Sequence, residues 1–519
     1  MLAEFRSILL GTLSHITSTT KTNMTTNRVS QSFFATLLIT LYFSGTAFAQ
    51  YGNTLTLPPE NLKTGFDSIS AEQAKAWLDV LAGPEFEGRG TGQVGYTKAA
   101  HWVAGKLAEF GLEPIGTDGT YFQMLPMQRR HLLIDKCWIT GPGDFKIEAP
   151  DNLGFERYTD KQETSGQVVF LNFSDPKARL APDLSLRDKI VIYTASPAVK
   201  SAPVQLARKR PLAAIRVIET KPVSISQLVR GGGRRNTSVS GTIAKSAAEK
   251  LATALGGDAS WTTVNDAAAE TMIQDTEQEI TLRLRYREEP AAVPNVVGWL
   301  EGSDPELKNE YVVIGSHLDH LGIRGGQVYP GADDNGSGST AVLNVAKAIA
   351  TNPVRPKRSV MFIWFAAEEI GLVGSKHYCK NPVKPVEDMI CMFNIDMVGR
   401  NEETKDETSS ENEGHIHLVG SKRGDTDLHG LIEEANKSIG FEFELDEEGV
   451  FGRSDQINFY RQGVPVAFLF GGFHPDYHQP TDQTTKINFK KIASAARLYY
   501  LAIHRASDHG RFKSTKETE

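Results

Sequence analysis

Four apolar runs dominate the second half of the chain, and each leads directly to acidic residues or a histidine. They are YVVIGS before His317, SVMFIWFAA before Glu368-Glu369, DMICMFNI before Asp396, and VPVAFLFGGF ahead of Tyr477-His478. Continuous apolar runs are typical of strands that are covered on both faces, as in a largely parallel sheet. In open α/β sheets, ligand sites lie at the carboxyl ends of the strands. The pattern therefore predicts an α/β fold with a site where these strands end.

The loop PGADDNGSGS, from Pro330 to Ser339, carries Asp333 and Asp334 side by side. It contains too much Gly, Asn and Ser to be regular structure. The following stretch, STAVLNVAKAIA, has apolar residues at helical spacing. Because the loop lies between the first strand and this helix, we expect its carboxylates to lie close to His317.

Composition limits the class of protein. The chain has 519 residues, 40% of them hydrophobic and 23% charged, as in an ordinary globular protein of two or three domains. A net charge of −7 gives no support to nucleic-acid binding. Three cysteines are too few for a disulfide framework. Cys379 and Cys391 could pair in an oxidising compartment, or all three could be buried thiols.

The N-terminal region has the features of an export signal. FFATLLITLYF is too short to span a bilayer comfortably and precedes Ala47-Phe48-Ala49, a small-residue cleavage pattern. We predict a signal peptide over 24–49 with translation from Met24, and a periplasmic or secreted protein that is free of the membrane after cleavage. The alternative is an N-terminal membrane anchor. No other segment is long and apolar enough to span a membrane.

The rest of the chain divides by pattern. SAEQAKAWLDVLAG predicts a helix with Ser70 as its N-cap, and FKKIASAARLYYLAIHRA predicts a long closing helix. Over 129–289, strand-like runs alternate with turns, and none ends in a cluster of metal-ligating residues, which indicates a separate β-rich domain. The Gly-rich loop around Gly90 and Gly92 is interpreted as structural, because no strand precedes it as a nucleotide site requires.

Carboxylates and imidazoles at the strand ends suit zinc, manganese or iron. The candidate ligands are His317, Asp334, Glu369, Asp396 and His478. Five ligands are too many for one tetrahedral zinc ion with an open position. They suit two metals that share a carboxylate and activate a water molecule between them.

Three further residues have candidate catalytic roles. Of the pair Glu368-Glu369, one can bind metal while the other, unligated, takes the proton of the attacking water. Asp319, two residues after His317, can accept the second ring N–H of that histidine and fix its tautomer. The hydroxyl of Tyr477 can donate to a developing oxyanion.

The motifs GSHLDHLG, PGADDNGSGS, FAAEEIGLVGS, NIDMVGR and DYHQPTD, in that order, resemble the co-catalytic di-zinc aminopeptidase family. That family includes glutamate carboxypeptidase, glutaminyl cyclase and the transferrin-receptor ectodomain. The resemblance covers about Val293 to Ala506 and implies a three-layer αβα mixed-sheet peptidase domain over 290–508. Upstream, 62–128 looks like the N-terminal segment of the same domain, and 129–289 resembles an inserted protease-associated domain.

The resemblance also implies a role for each ligand. His317 and Asp396 would bind one zinc ion, Glu369 and His478 the other, and Asp334 would bridge the two. Glu368 would be the general base and Asp319 the orienting residue. Where the family often has Ser-Asp-His, this chain has Ser454-Asp455-Gln456, a change at a position that does not bind metal. The histidines that match no ligand position are interpreted as structural: His320, His415, His417 and His474.

These features predict an exported, two-zinc aminopeptidase that removes N-terminal residues from peptide substrates. One alternative is a zinc carboxypeptidase acting on acidic dipeptides, with Arg453 and Arg400 as carboxylate-binding candidates. A glutaminyl cyclase would usually work with one zinc ion, and a binding protein of the transferrin-receptor type would have lost its ligands. The full ligand set argues against both.

Overall fold

The computed structural model describes residues 55–174, 179–196, 199–224, 227–230, 238–262, 272–423, 426–445 and 449–514. The predicted signal peptide, 24–49, lies outside the described residues. From Leu57 onward, the described residues form one compact unit.

The strands of the described residues follow one another along the chain as β1 Glu113–Pro114, β2 Phe122–Met124, β3 Met127–Leu132, β4 Trp138–Thr140, β5 Lys146–Glu148, β6 Leu153–Arg157, β7 Glu163–Phe173, β8 Lys189–Ala195, β9 Ala213–Ile218, β10 Gln227–Arg230, β11 Val239–Ala244, β12 Met272–Arg283, β13 Tyr286–Pro290, β14 Pro294–Leu300, β15 Tyr311–His317, β16 Gly322–Arg324, β17 Gln327–Tyr329, β18 Ser359–Phe365, β19 Met389–Asp396, β20 His415–Val419, β21 Glu442–Glu444 and β22 Val466–Phe470.

The α-helices are α1 Lys63–Ser68, α2 Ala71–Leu81, α3 Val94–Glu109, α4 Ala202–Lys209, α5 Lys245–Ala254, α6 Gly338–Thr351, α7 Val373–Lys380, α8 Thr426–Asn436, α9 Gln456–Tyr460 and α10 Phe489–Asp508. Ser70 caps α2 by accepting the N–H of Gln73 at 3.1 Å, as its sequence predicts. The long closing helix is α10.

A nine-stranded mixed sheet carries the four apolar runs at its centre. Its order is β1-β14-β18-β15-β19-β22-β20-β21, with β2 also paired to β14. The four central strands, β18, β15, β19 and β22, are mutually parallel, whereas β14 and β20 run antiparallel to their central neighbours. All four carboxyl ends therefore lie at one edge of the sheet, as predicted.

Helices cover both faces of this sheet. On one face α6 and α10 pack together and against β15, and Tyr499 of α10 donates its hydroxyl to the carbonyl of Ala467 at 3.0 Å. On the other face α7 packs against α9, where the ring of Tyr378 stacks on that of Phe459 with centroids 5.7 Å apart. Helices on two faces of a central mixed sheet make the predicted three-layer αβα architecture.

The predicted β-rich region contains a second sheet of eight strands in the order β5-β4-β12-β7-β8-β9-β11-β6. Its core includes Phe155, Phe170 and Trp261, with Leu251 of α5 packed against them. In a third sheet, β10-β3-β13, residue 129 lies within β3 and residue 289 within β13. The predicted domain boundaries at 129 and 289 stay predictions.

Among the described residues, no helix has the length and apolar character needed to cross a bilayer. Cys137, Cys379 and Cys391 are all buried free thiols. The structure therefore contains no Cys379–Cys391 disulfide.

Candidate metal centre

The turn that leads into α6 points the two adjacent aspartates in different directions. Residues Ala332–Ser337 form a π-type turn that leads into α6. The carboxylate of Asp482 holds this turn by accepting the N–H groups of Asp333 at 3.0 Å and Asp334 at 3.1 Å. The carboxylate of Asp333 then faces away, accepting the N–H of Gly399 at 2.6 Å and contacting His474. Asp334 is the member of the pair that faces His317 and His478.

A first cluster forms around His317, the last residue of β15. Its Nε2 lies 3.2 Å from Asp396 Oδ1 and 3.4 Å from Asp334 Oδ1. Asp396 ends the neighbouring strand β19, and its other oxygen accepts a hydrogen bond from the hydroxyl of Ser454 at 2.7 Å. One imidazole and two carboxylates thus converge in a buried space, with ligand atoms within 4.8 Å of one another.

A second cluster forms around Glu369. His478 Nε2 lies 3.0 Å from Asp334 Oδ2 and 3.2 Å from Glu369 Oε2. His320 approaches the same group, with Nδ1 2.7 Å from Glu369 Oε1 and 3.6 Å from Asp334 Oδ2. The sequence predicts only a structural role for His320, yet the structure places it beside this cluster. The only sequence signal for this contact is the motif SHLDH, in which His320 lies three residues after His317.

Asp334 joins the two clusters. Its Oδ1 faces His317, whereas its Oδ2 faces His478 and His320. A carboxylate that presents one oxygen to each of two ligand sets has the arrangement required to bridge two cations. The structure therefore brings together all five side chains that the sequence singles out as metal ligands.

Glu368 lies beside the first cluster without joining either ligand set. Its Oε2 is 4.0 Å from His317 Nε2. Burial, together with Asp455, Asp396 and Asp319, raises the pKa of Glu368 well above its usual range, although His317 opposes the shift. A carboxyl whose pKa is raised in this way suits a group that takes up and returns a proton.

Asp319 differs from the prediction in one detail. Its carboxylate Oδ1 is 4.0 Å from His317 Nδ1, and its backbone carbonyl is the nearer acceptor at 2.9 Å. The carboxylate instead accepts the N–H of Glu368 at 3.0 Å and the hydroxyl of Thr91. The tautomer of His317 is therefore set by a carbonyl, and the carboxylate of Asp319 positions the backbone of Glu368. Sequence spacing identified the residue but could not distinguish its two acceptors.

Tyr477 lies against the second cluster. Its ring stacks on that of His478, with centroids 3.9 Å apart. Burial and the charges of Asp334, Glu369 and Asp396 raise the pKa of Tyr477 above its usual range. The hydroxyl consequently stays protonated at neutral pH and is able to donate a hydrogen bond.

Arg89, in the Gly-rich loop before α3, supports the site by binding the backbone around it. Its fully buried guanidinium donates to four backbone carbonyls, at 2.9 Å to Leu318, 2.7 Å to Leu81, 2.9 Å to Pro330 and 2.7 Å to Gly331. These contacts tie the chain after His317 to the chain before Asp334. Sequence reasoning missed this residue, because a single arginine in a glycine-rich loop gives no signal of burial.

The electrostatics of the two clusters suit bound cations. Burial opposes ionisation of Glu369, but His320 and His478 hold its pKa well below its usual range. Burial likewise opposes the charge of His478, whose pKa is raised to about 9 by Asp334 and Glu369. His320 Nδ1 and Glu369 Oε1 are buried and close, yet neither makes a hydrogen bond of good geometry. Buried imidazole and carboxylate atoms without suitable hydrogen-bond partners fit a divalent metal ion in the second cluster.

Residues 295–503 match the model of Peptidase family M28. The matched residues, called the M28 segment, make up about two fifths of the chain. The M28 segment contains both clusters and Glu368, and it begins after Arg89 and Thr91.

Relatives and solved structures extend the comparison. The chain is 33% identical over 193 residues to leupeptin-inactivating enzyme 1 of Streptomyces exfoliatus, covering 37% of this chain and 38% of that protein. It is 29% identical over 204 residues to aminopeptidase YwaD of Bacillus subtilis, covering 38% of this chain and 41% of that protein. The match thus spans about two fifths of each relative.

The solved structures show likeness of fold over a longer stretch. BSAP, a zinc aminopeptidase from Bacillus subtilis, aligns with a TM-score of 0.52 at 19% identity, covering 87% of this chain and 99% of that one. The aminopeptidase from Aneurinibacillus sp. strain AM-1 aligns with a TM-score of 0.51 at 20% identity, covering 87% of this chain and 96% of that one. The shared fold therefore extends beyond the M28 segment.

Proposed function

We propose that this protein is a zinc-dependent aminopeptidase that hydrolyses peptides with two metal ions. One observation carries the proposal: Asp334 presents an oxygen to each of two clusters of imidazole and carboxylate groups. The M28 match and the aminopeptidase relatives support the reaction class.

The residues that would hold the ions divide by cluster. His317 and Asp396 would hold one zinc ion, Glu369 and His478 the other, and Asp334 would contact both. Zinc in such a site polarises a scissile carbonyl and lowers the pKa of a water molecule.

The chain's own groups would handle the proton and the substrate. Glu368 would accept the proton of the attacking water at its carboxylate and deliver it to the leaving amine. Its backbone N–H, held by the carboxylate of Asp319, keeps it beside His317. The hydroxyl of Tyr477 would donate to the oxyanion that develops on the carbonyl oxygen.

The pocket at the metal centre suits an exopeptidase. It is lined by the candidate metal ligands and by aromatic side chains, so it offers an apolar surface to a substrate side chain beside the metal centre. The carboxylates around the centre would attract the free α-amine of a peptide. A carboxypeptidase is the second candidate, because Arg453 lines this pocket. Arg400 is a weaker candidate, because its guanidinium is paired with Asp476 at 3.0 Å.

The test combines metal analysis with peptide cleavage. The purified chain would be assayed by mass spectrometry against peptides with free and N-acetylated termini. We expect about two zinc ions per chain, sequential release from the N-terminus, and no release after N-acetylation. Release from the C-terminus that is indifferent to N-acetylation would support the carboxypeptidase, and no zinc binding with no cleavage would refute both.

A Glu368→Gln variant isolates the proton-transfer role. It should keep the zinc content of the wild type and lose about 10²–10⁴-fold in kcat/KM, the usual range for a general base. A variant that keeps its activity would refute the role assigned to Glu368.

We further propose that the chain is exported with cleavage after Ala49, and that 129–289 is a protease-associated domain. Sequencing the N-terminus of the protein recovered from the periplasm or medium tests the first part. Gln50 is the expected first residue.

A further inference from the structure

The pocket beside the metal centre combines an apolar wall with one cation. The wall is formed by Met397, Val450, Phe468, Phe470 and Phe473. Arg453 lies in the loop before α9 and lines the same space. Because His317, Asp396 and Glu368 also line this pocket, a substrate side chain that fills it belongs to the residue at the scissile bond.

The guanidinium of Arg453 is uncommitted. It lies over the ring of Phe473, with Cζ 4.7 Å from the ring centroid, and the residue is exposed. Within the part of the chain that the structure describes, no carboxylate pairs with it. The other arginines near the centre are occupied, Arg400 by Asp476 and Arg89 by four carbonyls.

An arginine held against an aromatic ring keeps its fork of N–H donors free for a planar anion. Such a fork binds a carboxylate through two parallel hydrogen bonds. Stacking on Phe473 restricts the side chain, so less conformational entropy is lost when the carboxylate binds. The apolar wall cannot stabilise a charged group, but it packs well against methylene groups.

We propose that Arg453 makes this pocket selective for peptides whose N-terminal residue carries a side-chain carboxylate, with glutamate preferred over aspartate. The two methylenes of glutamate would lie along the apolar wall while its carboxylate reaches the guanidinium at the exposed end of the pocket. This inference rests on the proposed aminopeptidase function and assigns its substrate class.

The experiment compares substrates that differ only in this charge. The full chain loaded with zinc would be given X-Ala-Ala-amide peptides with X as Glu, Gln, Asp or Leu. Amidation leaves the side chain as the only carboxylate, and glutamine matches glutamate in size. We expect kcat/KM for Glu to exceed that for Gln by about tenfold, chiefly through KM, as for a charge-assisted hydrogen bond at an exposed site.

Variants assign the preference to one residue. Arg453→Gln should bring the Glu-to-Gln ratio close to one, and Arg453→Lys should keep part of it, because lysine retains the charge without the fork. Arg461→Gln is the matched control, since Arg461 is exposed and lies outside the pocket lining, and it should keep the wild-type ratio. The ratio in the wild type should also fall as sodium chloride is added.

Three results would overturn the inference. Equal rates for Glu and Gln in the wild type would show that the pocket does not select charge. An unchanged ratio in Arg453→Gln would place the selection elsewhere. A preference for free-acid over amidated peptides that is lost in Arg453→Gln would assign the arginine to the C-terminal carboxylate. Failure of the zinc-loaded chain to cleave any of the peptides, Leu included, would instead refute the proposed function and this inference with it.

Discussion

Replacing Arg89 by methionine tests whether this side chain supports the metal centre, because the change removes its hydrogen bonds and leaves every candidate metal ligand in place. Methionine is unbranched and apolar like the aliphatic part of arginine, and it cannot donate a hydrogen bond. The substitution leaves the carbonyls of Leu318, Leu81, Pro330 and Gly331 without their donor. At about 1 kcal/mol for each buried acceptor, the free energy of unfolding should fall by about 4 kcal/mol.

Lysine at this position gives an intermediate case. A single ammonium group can satisfy about two of the four dispersed carbonyls, so Arg89→Lys should lose about 2 kcal/mol. Arg208→Met is the matched control, because Arg208 is exposed on α4 and methionine is a good helix former.

The assay is urea denaturation followed by tryptophan fluorescence, together with zinc affinity from competition with a chelator. The order of stability should be wild type and Arg208→Met, then Arg89→Lys, then Arg89→Met, and zinc affinity should follow the same order. An Arg89→Met protein with the wild-type midpoint and zinc affinity would refute the idea that this guanidinium holds the two ligand-bearing loops together.

Two further predictions test the ligand set and the acid response. Asp334→Asn should weaken zinc binding by more than about 100-fold and lower the count below two, whereas Asp333→Asn should keep the zinc count. Metal analysis and chelator competition check this, and equal affinities for the two variants would contradict it. Burial lowers the pKa of His504 to about 4 from 6.5, so its contribution to stability is complete above pH 6.5 and is lost as the pH falls to 4. That loss of stability is on the order of 3 kcal/mol. It should be absent when the unfolding of a His504→Phe variant is measured as a function of pH. A variant whose pH profile is identical to that of the wild type would contradict the prediction.

Arg89 and Thr91 support the metal centre through hydrogen bonds to residues far away in the sequence. Both residues precede the M28 segment, which begins at residue 295. The hydroxyl of Thr91 donates to the carboxylate of Asp319, and the backbone N–H of His320 donates to the carbonyl of Arg89 at 3.2 Å. The M28 segment alone would consequently lack these hydrogen bonds to the loops of its own metal centre.

The sequence by itself determined the central sheet and the residues that converge on its edge. Continuous apolar runs are typical of strands that are buried on both faces, and parallel neighbours end at the same edge of a sheet. The positions of His317, Glu369 and Asp396 follow from this rule, because His317 and Asp396 end their strands and Glu369 lies in the loop that follows its strand. The resemblance of the motifs then indicated Asp334 rather than Asp333.

Only the tertiary structure decided the contacts that arise between segments far apart in the chain. Loop conformation, to within about an ångström or two, decides three of them. These are the burial of Arg89, the approach of His320 to Glu369, and the choice of a carbonyl over a carboxylate as the acceptor for His317. Periodicity reports which face of an element is buried, but it carries no information about the direction of a side chain in an irregular loop. Long-range polar contacts between loops are therefore the part of this centre that the three-dimensional fold alone specifies.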